Sequence, residues 1–142
     1  MLKTILVAID SSDQRHAVLV QAAEIANRFE ADLHVVLVRD LSQHWELNAA
    51  VDPEIVTALE TEVDTLIEEA RKQLEEAGIT CQIHLQDGDA AEEISLLANR
   101  IGADLILIGH RHLSWLSRLV EKSVGSSLMT KARCNLMIIV EK

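Results

Sequence analysis

The sequence predicts an α/β fold, a single open sheet of five parallel strands with helices on both faces. Three observations lead to this prediction. Short aliphatic runs alternate along the chain with longer segments in which apolar residues recur at helical spacing. Several runs are continuously apolar, as in strands that are covered on both faces. The length of 142 residues fits one domain, residues 1–142, with a substantial core.

The first half of the chain contains two strand and two helix signals. Residues 4–9 (TILVAI) form a strand, and the polar residues 10–13 provide the turn and the N-cap of a helix that continues to about residue 30. Residues 32–38 (DLHVVLV) are the second strand. Residues 39–51 have no clear period and are interpreted as a long connection or a partly ordered insertion. The buried stripe predicted for the first helix is Val18, Ala22, Ile25, Ala26 and Phe29.

The second helix is predicted from its two ends. Asp52 supplies an acidic N-cap and Pro53 occupies the first helical position, while Gly78 fits the residue that ends the helix. Its other face is rich in acidic residues, which is typical of a solvated surface. The apolar stripe that defines its buried face is Leu59, Val63, Leu66, Ala70, Leu74 and Ala77.

The second half of the chain repeats this alternation. Asp89, with Glu92 three residues later, resembles a capping box, and Gly102 ends the helix that follows. Residues 80–86 alternate in polarity and therefore favour a strand near a sheet edge. The remaining elements are predicted as a strand at 105–108, a helix at 123–132 and a last strand at 136–140.

Composition and charge exclude several classes of protein. A hydrophobic content of 49% with 25% charged residues describes a soluble globular chain, and an aromatic content of 2% implies an aliphatic core. The net charge of −10 repels nucleic acids and anionic membranes. No apolar stretch approaches the roughly 20 residues of a membrane helix, and the first apolar run is too short for a secretory signal. We therefore expect a cytoplasmic protein without membrane insertion.

Catalytic and metal-binding signatures are absent from the sequence. It contains no Gly-x-Ser-x-Gly elbow, no Walker lysine loop and no Gly-x-Gly-x-x-Gly, so no catalytic residues are predicted. His110 and His112 lack a carboxylate or cysteine at ligand spacing, and no metal is expected there. Cys81 and Cys134 are interpreted as reduced core residues rather than a disulfide.

The candidate ligand site lies where the predicted strands end. In parallel sheets, ligands bind beyond the carboxyl ends of the strands, where the strand order reverses. This rule places Asp10, Val38 and Gly109 on one edge. Asp10 could accept hydrogen bonds from a ribose, or it could equally be a turn or capping aspartate.

The segment after Gly109 concentrates positive charge in an otherwise acidic chain. Arg111 and Lys122 belong to a basic loop that delivers the chain to a predicted helix starting at Ser123. Basic side chains near a helix N-terminus could hold a phosphate or another anion. The same loop could instead pair with the acidic surface of this chain or of a partner subunit.

The residues resemble the universal stress protein family over nearly the whole chain. The resemblance is carried by KTILVAIDSSD, DLHVVLV, LQDGDAAEEI, GADLILIGHRH and KSVGSSLMTKARCNLMIIV. It implies a Rossmann-like sheet, of the adenine nucleotide alpha hydrolase-like kind, in the order 3-2-1-4-5. It also implies a homodimer, which commonly pairs through the last strand. The residues of that strand here are Leu136, Met137, Ile138, Ile139 and Val140.

The family divides by a glycine pattern that is degraded in this chain. ATP-binding members carry Gly, two residues, Gly, nine residues, then Gly followed by Ser or Thr. Gly109 and Ser123 match the ends of this pattern, but His112 and Lys122 stand at its second and third glycines. Side chains at these positions would crowd a triphosphate. The resemblance is therefore to the branch typified by the founding stress protein, which is generally regarded as not binding ATP.

The sequence predicts a stress-response binding or regulatory protein that does not turn over a substrate and requires no cofactor. The alternative is a member that binds ATP or AMP as a nucleotide-dependent switch. In that case the ligand would contact Asp10, Val38, Gly109 and Ser123, with Arg111 and Lys122 near the phosphates.

Overall fold

The computed structural model describes residues 1–39, 53–110 and 134–140. Within these ranges the chain forms a five-stranded sheet in the order β3-β2-β1-β4-β5, in which all four neighbouring pairs are parallel. The predicted fold class and strand order are confirmed. The strands are β1 (Thr4–Ile9), β2 (Asp32–Arg39), β3 (Gln82–Asp87), β4 (Leu105–Gly109) and β5 (Asn135–Ile139); the helices are α1 (Gln14–Phe29), α2 (Pro53–Glu76) and α3 (Ala90–Ile101).

Two hydrophobic layers enclose the sheet. Alternate residues of a strand point to opposite faces, so the odd-numbered residues of β1, such as Val7, pack with α1 and α2. The even-numbered residues, such as Leu6, pack with α3. Because β1 is buried on both faces, its continuous apolar run agrees with its central position in the sheet. The helix predicted at 123–132 lies outside the described residues.

Local capping signals place the helix ends. The Asp89 carboxylate accepts a hydrogen bond from the backbone N–H of Glu92 at 3.1 Å, which confirms the predicted cap of α3. Gly102 ends the same helix in the left-handed conformation, with φ of 68°. At α1, in contrast, the side chain of the N-cap residue Asp13 makes no capping bond. The 10–13 segment therefore supplies the predicted turn and the N-cap residue, but that residue, Asp13, makes no side-chain capping bond.

Several predicted limits differ from the structure. The third strand begins at Gln82 rather than at residue 80, and the last strand spans Asn135–Ile139, so Val140 lies just outside it. Gly109 is the final residue of β4 and not the break after it. Phe29 is 53% exposed at the end of α1, where the chain leaves the sheet, and it does not belong to the buried stripe.

The third strand is an edge strand and only partly buried, as its alternating polarity predicts. Cys81 and Cys134 are both unpaired and half-buried. No helix in the described ranges is long and apolar enough to cross a membrane.

Candidate functional site

A small open hollow lies at the carboxyl ends of β1 and β4. Its lining combines apolar residues with a carboxylate, a hydroxyl, an amide and a guanidinium. Its lining residues are Ala8, Ile9, Asp10, Ser12, Gln14, Arg15, Val18 and Gly109.

Asp10 is engaged by its own turn. Its Oδ1 atom accepts hydrogen bonds from the backbone N–H of Ser12 at 2.9 Å and from the Ser12 hydroxyl at 2.6 Å. These bonds fix the chain between β1 and α1, which is the turn role that the sequence allowed. Asp10 still lines the hollow, so the same carboxylate orders the turn and contributes negative charge to the site.

Gln14 fills the centre of this region. The residue is only 2% exposed, although it carries a polar amide. Its Nε2 atom hydrogen-bonds with Nδ1 of His110 and donates to the carbonyl oxygen of Ile139 at 3.4 Å. The amide thus joins the first turn of α1 to the end of β4 and to β5. Because an amide nitrogen can only donate, Nδ1 of His110 is the acceptor of the first of these hydrogen bonds.

Gly109 is packed directly against this amide. A Cβ atom at position 109 would lie 2.6 Å from Cδ of Gln14 and 3.1 Å from its Cγ. The described residues with positive φ do not include Gly109, so the backbone conformation there is open to any residue. The space that glycine leaves at this position is occupied by the side chain of Gln14.

Arg15 lines the hollow and connects the turn after β1 to α2. Its guanidinium donates to the carbonyl oxygens of Ser11 and Ser12 at 3.3 and 3.0 Å, and to the carboxylate of Glu69 on α2 at 3.0 Å. The side chain is 14% exposed. Its Nε atom is buried and has no hydrogen-bond partner among the described residues. A buried donor without an acceptor is unusual in folded proteins, so this wall offers one unused N–H.

Val38 ends on the same edge but does not line the hollow. It is half-buried and packs into the layer that faces α3. The next residue, Arg39, pairs with Asp87 through two hydrogen bonds of 2.6 and 3.0 Å, which close the edge between β2 and β3. Hydrogen bonding to Asp87, together with the negative charge of Asp87, raises the pKa of the Arg39 guanidinium.

The predicted site residues therefore divide into three groups. Asp10 and Gly109 come together at the hollow, and Val38 shares the edge without lining the hollow. Arg111, Lys122 and Ser123 lie outside the described residues, as does His112.

The sequence analysis missed Gln14 and Arg15. A signal for Gln14 exists, because it precedes Val18 and Ala22 by steps of four residues and so falls on the buried stripe of α1. A polar residue on such a stripe indicates a buried hydrogen-bonding role. The position of Arg15 depends on α2, which is distant in the sequence, and no local pattern predicts it.

Comparison with known proteins identifies the family. The sequence profile of the universal stress protein family matches residues 1–140. This chain is a universal stress protein. A universal stress protein of Methanocaldococcus jannaschii is 27% identical over 140 residues, which cover 98% of this chain and 82% of the relative.

Solved structures of other universal stress proteins share the fold. A family member from Burkholderia pseudomallei is 30% identical, with a TM-score of 0.70 and coverage of 97% of this chain and 96% of that one. A universal stress protein from Archaeoglobus fulgidus, solved in complex with dAMP, is 22% identical, with a TM-score of 0.66 and coverage of 98% and 99%. At that identity the second likeness shows the fold alone.

Proposed function

We propose that this universal stress protein is a cytoplasmic stress-response protein that acts through binding and regulation, without turnover and without bound ATP. The domain is residues 1–142, and no cofactor is required for its folding or its action. Partners recognise its surface, while the edge of the sheet that holds nucleotide in ATP-binding members serves here as internal structure.

The observation that carries this proposal is the packing of Gln14 on Gly109. The resemblance assigns Gly109 to the first glycine of the nucleotide pattern, where a bare backbone lets phosphate approach. In this chain the buried Gln14 amide occupies the adjoining space and is held there by His110 and the carbonyl of Ile139. A ligand that approached this backbone would have to displace the amide and leave its partners unsatisfied, at a cost of about 1–3 kcal/mol.

The alternative is a nucleotide-dependent switch, and a specific observation favours it. The unused N–H of Arg15 lies in the wall of the hollow that also contains the Asp10 carboxylate. A ribose hydroxyl could donate to Asp10 while a ligand oxygen accepts from Arg15. A universal stress protein of the same fold from Archaeoglobus fulgidus was solved in complex with dAMP, which supports a nucleotide as the class of ligand. The ligand would be ATP or AMP, held also by Val38, Gly109 and Ser123, with Arg111 and Lys122 near its phosphates.

We also propose that the protein is a homodimer that pairs through its last strand. In the described sheet β5 is an edge strand, its Met137 is 39% exposed, and Val140 beside it is 66% exposed. An apolar sheet edge is a template for pairing with another strand. A second copy would cover the segment Leu136, Met137, Ile138, Ile139 and Val140.

Calorimetric titration with ATP and with AMP, with and without magnesium, tests the proposal. The protein is first checked for nucleotide carried through purification. We expect no binding by the unmodified protein. Dissociation constants below about 100 μM, equivalent to roughly 5.5 kcal/mol, or nucleotide that copurifies, would replace the proposal with the switch.

The variant Gln14→Ala examines the reason for the absence of binding. If the amide excludes the ligand, its removal should allow nucleotide binding that the unmodified protein lacks. Gln21→Ala is the matched control, because Gln21 is an exposed glutamine of the same helix. Equal behaviour of both variants and the unmodified protein would show that Gln14 is not the obstacle.

A further inference from the structure

The first half of α2 projects past the helix on which it packs. The carboxylate of Glu69 accepts a hydrogen bond from Arg15, in the first turn of α1, at 3.0 Å. The carbonyl oxygen of Ala77, directly after α2, accepts one from Asn27, in the last turn of α1, at 3.3 Å. The two helices therefore run in the same direction. The part of α2 before Glu69 spans about 24 Å and continues past the start of α1, and every residue from 53 to 58 is exposed.

This part of α2 keeps the apolar face that the rest of the helix buries. The buried residues of α2 are Leu66, Ala70 and Leu74. Leu59 and Val63 continue their row at steps of three and four residues and are half-buried. Ile55 and Val56 lie on the same face one turn earlier, but they are 48% and 41% exposed. The apolar face of α2 is therefore longer than the surface that covers it among the described residues.

Acidic side chains border this face on both sides. With about 3.6 residues per turn, Glu62 falls on one flank of the apolar row, and Glu60 and Asp64 fall on the other. Residues 53–70 contain six acidic side chains and no Lys, Arg or His. In the part of the chain that the structure describes, no ion pair involves Glu60, Glu62 or Asp64. The negative potential along both flanks attracts cationic groups.

We propose that the projecting face of α2, formed by Ile55, Val56, Leu59 and Val63, binds a basic amphipathic helix of a partner protein. Apolar residues at helical spacing on the partner would pack between those of the projecting face, as ridges pack into grooves. Lysine or arginine residues beside them would meet the acidic flanks, where complementary charge selects the partner and speeds association. This inference rests on the proposed function, because a protein that acts through binding requires such a surface.

The charge distribution argues against the other occupants of an apolar surface. In a contact between two copies through this helix, acidic flanks would face acidic flanks, in a chain whose net charge is already −10. Anionic membranes and nucleic acids would meet the same repulsion. A basic amphipathic helix satisfies both the apolar row and its acidic borders.

Two synthetic peptides test the proposal. Both are amphipathic helices of about 18 residues with leucine on one face, and the other face carries lysine in the first peptide and glutamate in the second. Fluorescence anisotropy of the labelled peptides measures their binding to the full chain. We expect the leucine–lysine peptide to bind with a dissociation constant below about 100 μM and the leucine–glutamate peptide not to bind. Absence of binding by the first peptide would overturn the projecting face as a docking site, whereas the titration with ATP and AMP decides the proposed function separately.

Apolar substitutions locate the binding surface. Ile55→Ser with Val56→Ser should weaken binding of the leucine–lysine peptide at least tenfold, because two apolar contacts of the projecting face are lost. Leu96→Ser is the matched control, since Leu96 is a 45% exposed apolar residue on α3, and this variant should bind as the unmodified protein does. Unchanged binding by the double variant, or equal weakening by the control, would overturn the proposal. A change of oligomeric state in the double variant, measured by light scattering, would assign the projecting face to a second copy instead.

Charge variants distinguish this surface from general attraction between a basic peptide and an acidic protein. Glu60→Gln with Asp64→Asn removes two charges beside the projecting face and should weaken binding at least threefold at low ionic strength. Glu75→Gln with Glu76→Gln removes two charges at the other end of α2 and should leave binding unchanged. Equal weakening by the two pairs would show that the peptide responds only to net charge, and the proposal would fail.

Discussion

The side chain of Gln14 occupies the space that a side chain at position 109 would need. Cδ of Gln14 would lie 2.6 Å from a Cβ atom added to Gly109, and Gln14 is buried and hydrogen-bonded to two other elements. The contact ties the start of α1 to the end of β4 at the edge where ligands of parallel sheets bind. The same contact therefore stabilises the fold and limits the space that a ligand would have at this edge.

Gly109→Ala should destabilise the protein by about 1–3 kcal/mol, because the added methyl group overpacks a filled region. Urea unfolding measures the change. The control is the double variant Gly109→Ala with Gln14→Ala, in which the shorter side chain at 14 leaves room for the methyl group. The loss in the double variant should be smaller than the sum of the two single losses. Strictly additive losses would contradict direct packing of Gln14 on Gly109.

The two helix N-caps should respond differently to the same substitution. Asp89→Ala removes the carboxylate that accepts from the N–H of Glu92 at 3.1 Å, and we expect a loss of about 1 kcal/mol. Asp13→Ala changes an N-cap whose side chain makes no capping bond and is fully exposed. Its effect should be within about 0.5 kcal/mol. Chemical unfolding of both variants compares them, and equal losses would show that capping is not the cause.

His34 and His84, whose Nδ1 and Nε2 atoms are 2.9 Å apart, should make the stability depend on pH. The pKa values of His34 and His84 are both below the ordinary 6.5, so the unfolded chain takes up protons first as the pH falls. Stability contributed by the neutral pair is present above pH 6.5 and is lost as the pH falls through the lowered folded pKa values. The double variant His34→Gln with His84→Gln should therefore lose less stability on acidification than the unmodified protein.

This pH dependence is measured by urea unfolding at pH 7.5, 6.5 and 5.5. His16→Gln serves as the control, since His16 shows no such pairing and bonds instead to Gln73 at 3.2 Å. The control should lose stability between these pH values as the unmodified protein does. If the free energy of unfolding of the double variant falls with pH as steeply as that of the unmodified protein, groups other than these two histidines set the acid response.

Met137→Lys should weaken the proposed homodimer. A lysine at an apolar sheet edge opposes strand pairing through its charge and its hydration. We expect the dissociation constant of the dimer to rise at least tenfold, equivalent to about 1.4 kcal/mol. Light scattering over a dilution series measures it. Val20→Lys is the matched control, because Val20 is a 56% exposed apolar residue on α1. A dimer that is weakened equally by both changes would not depend on β5.

The local elements of this fold could be predicted because short stretches of sequence contain their physical causes. The run 4–9 is apolar at every position that the sheet buries, and Asp89 and Gly102 each act within one turn of α3. The limits of β3 and β5 were less accurate, because the end of a strand depends on the length of its neighbour. Phe29 is exposed although the sequence predicts it in the buried stripe of α1, because helical spacing alone does not show where the sheet stops covering a helix.

The sequence alone determined the α/β class, the family and the edge of the sheet where Asp10 and Gly109 meet, since these follow from patterns that are local or continuous along the chain. Only the tertiary structure decided what occupies that edge. Gln14 and His110 are 96 positions apart in the sequence, and His34 and His84 are 50 apart. Contacts of this kind arise when crossover connections bring distant strands and helices into register, and no single stretch of sequence contains both partners.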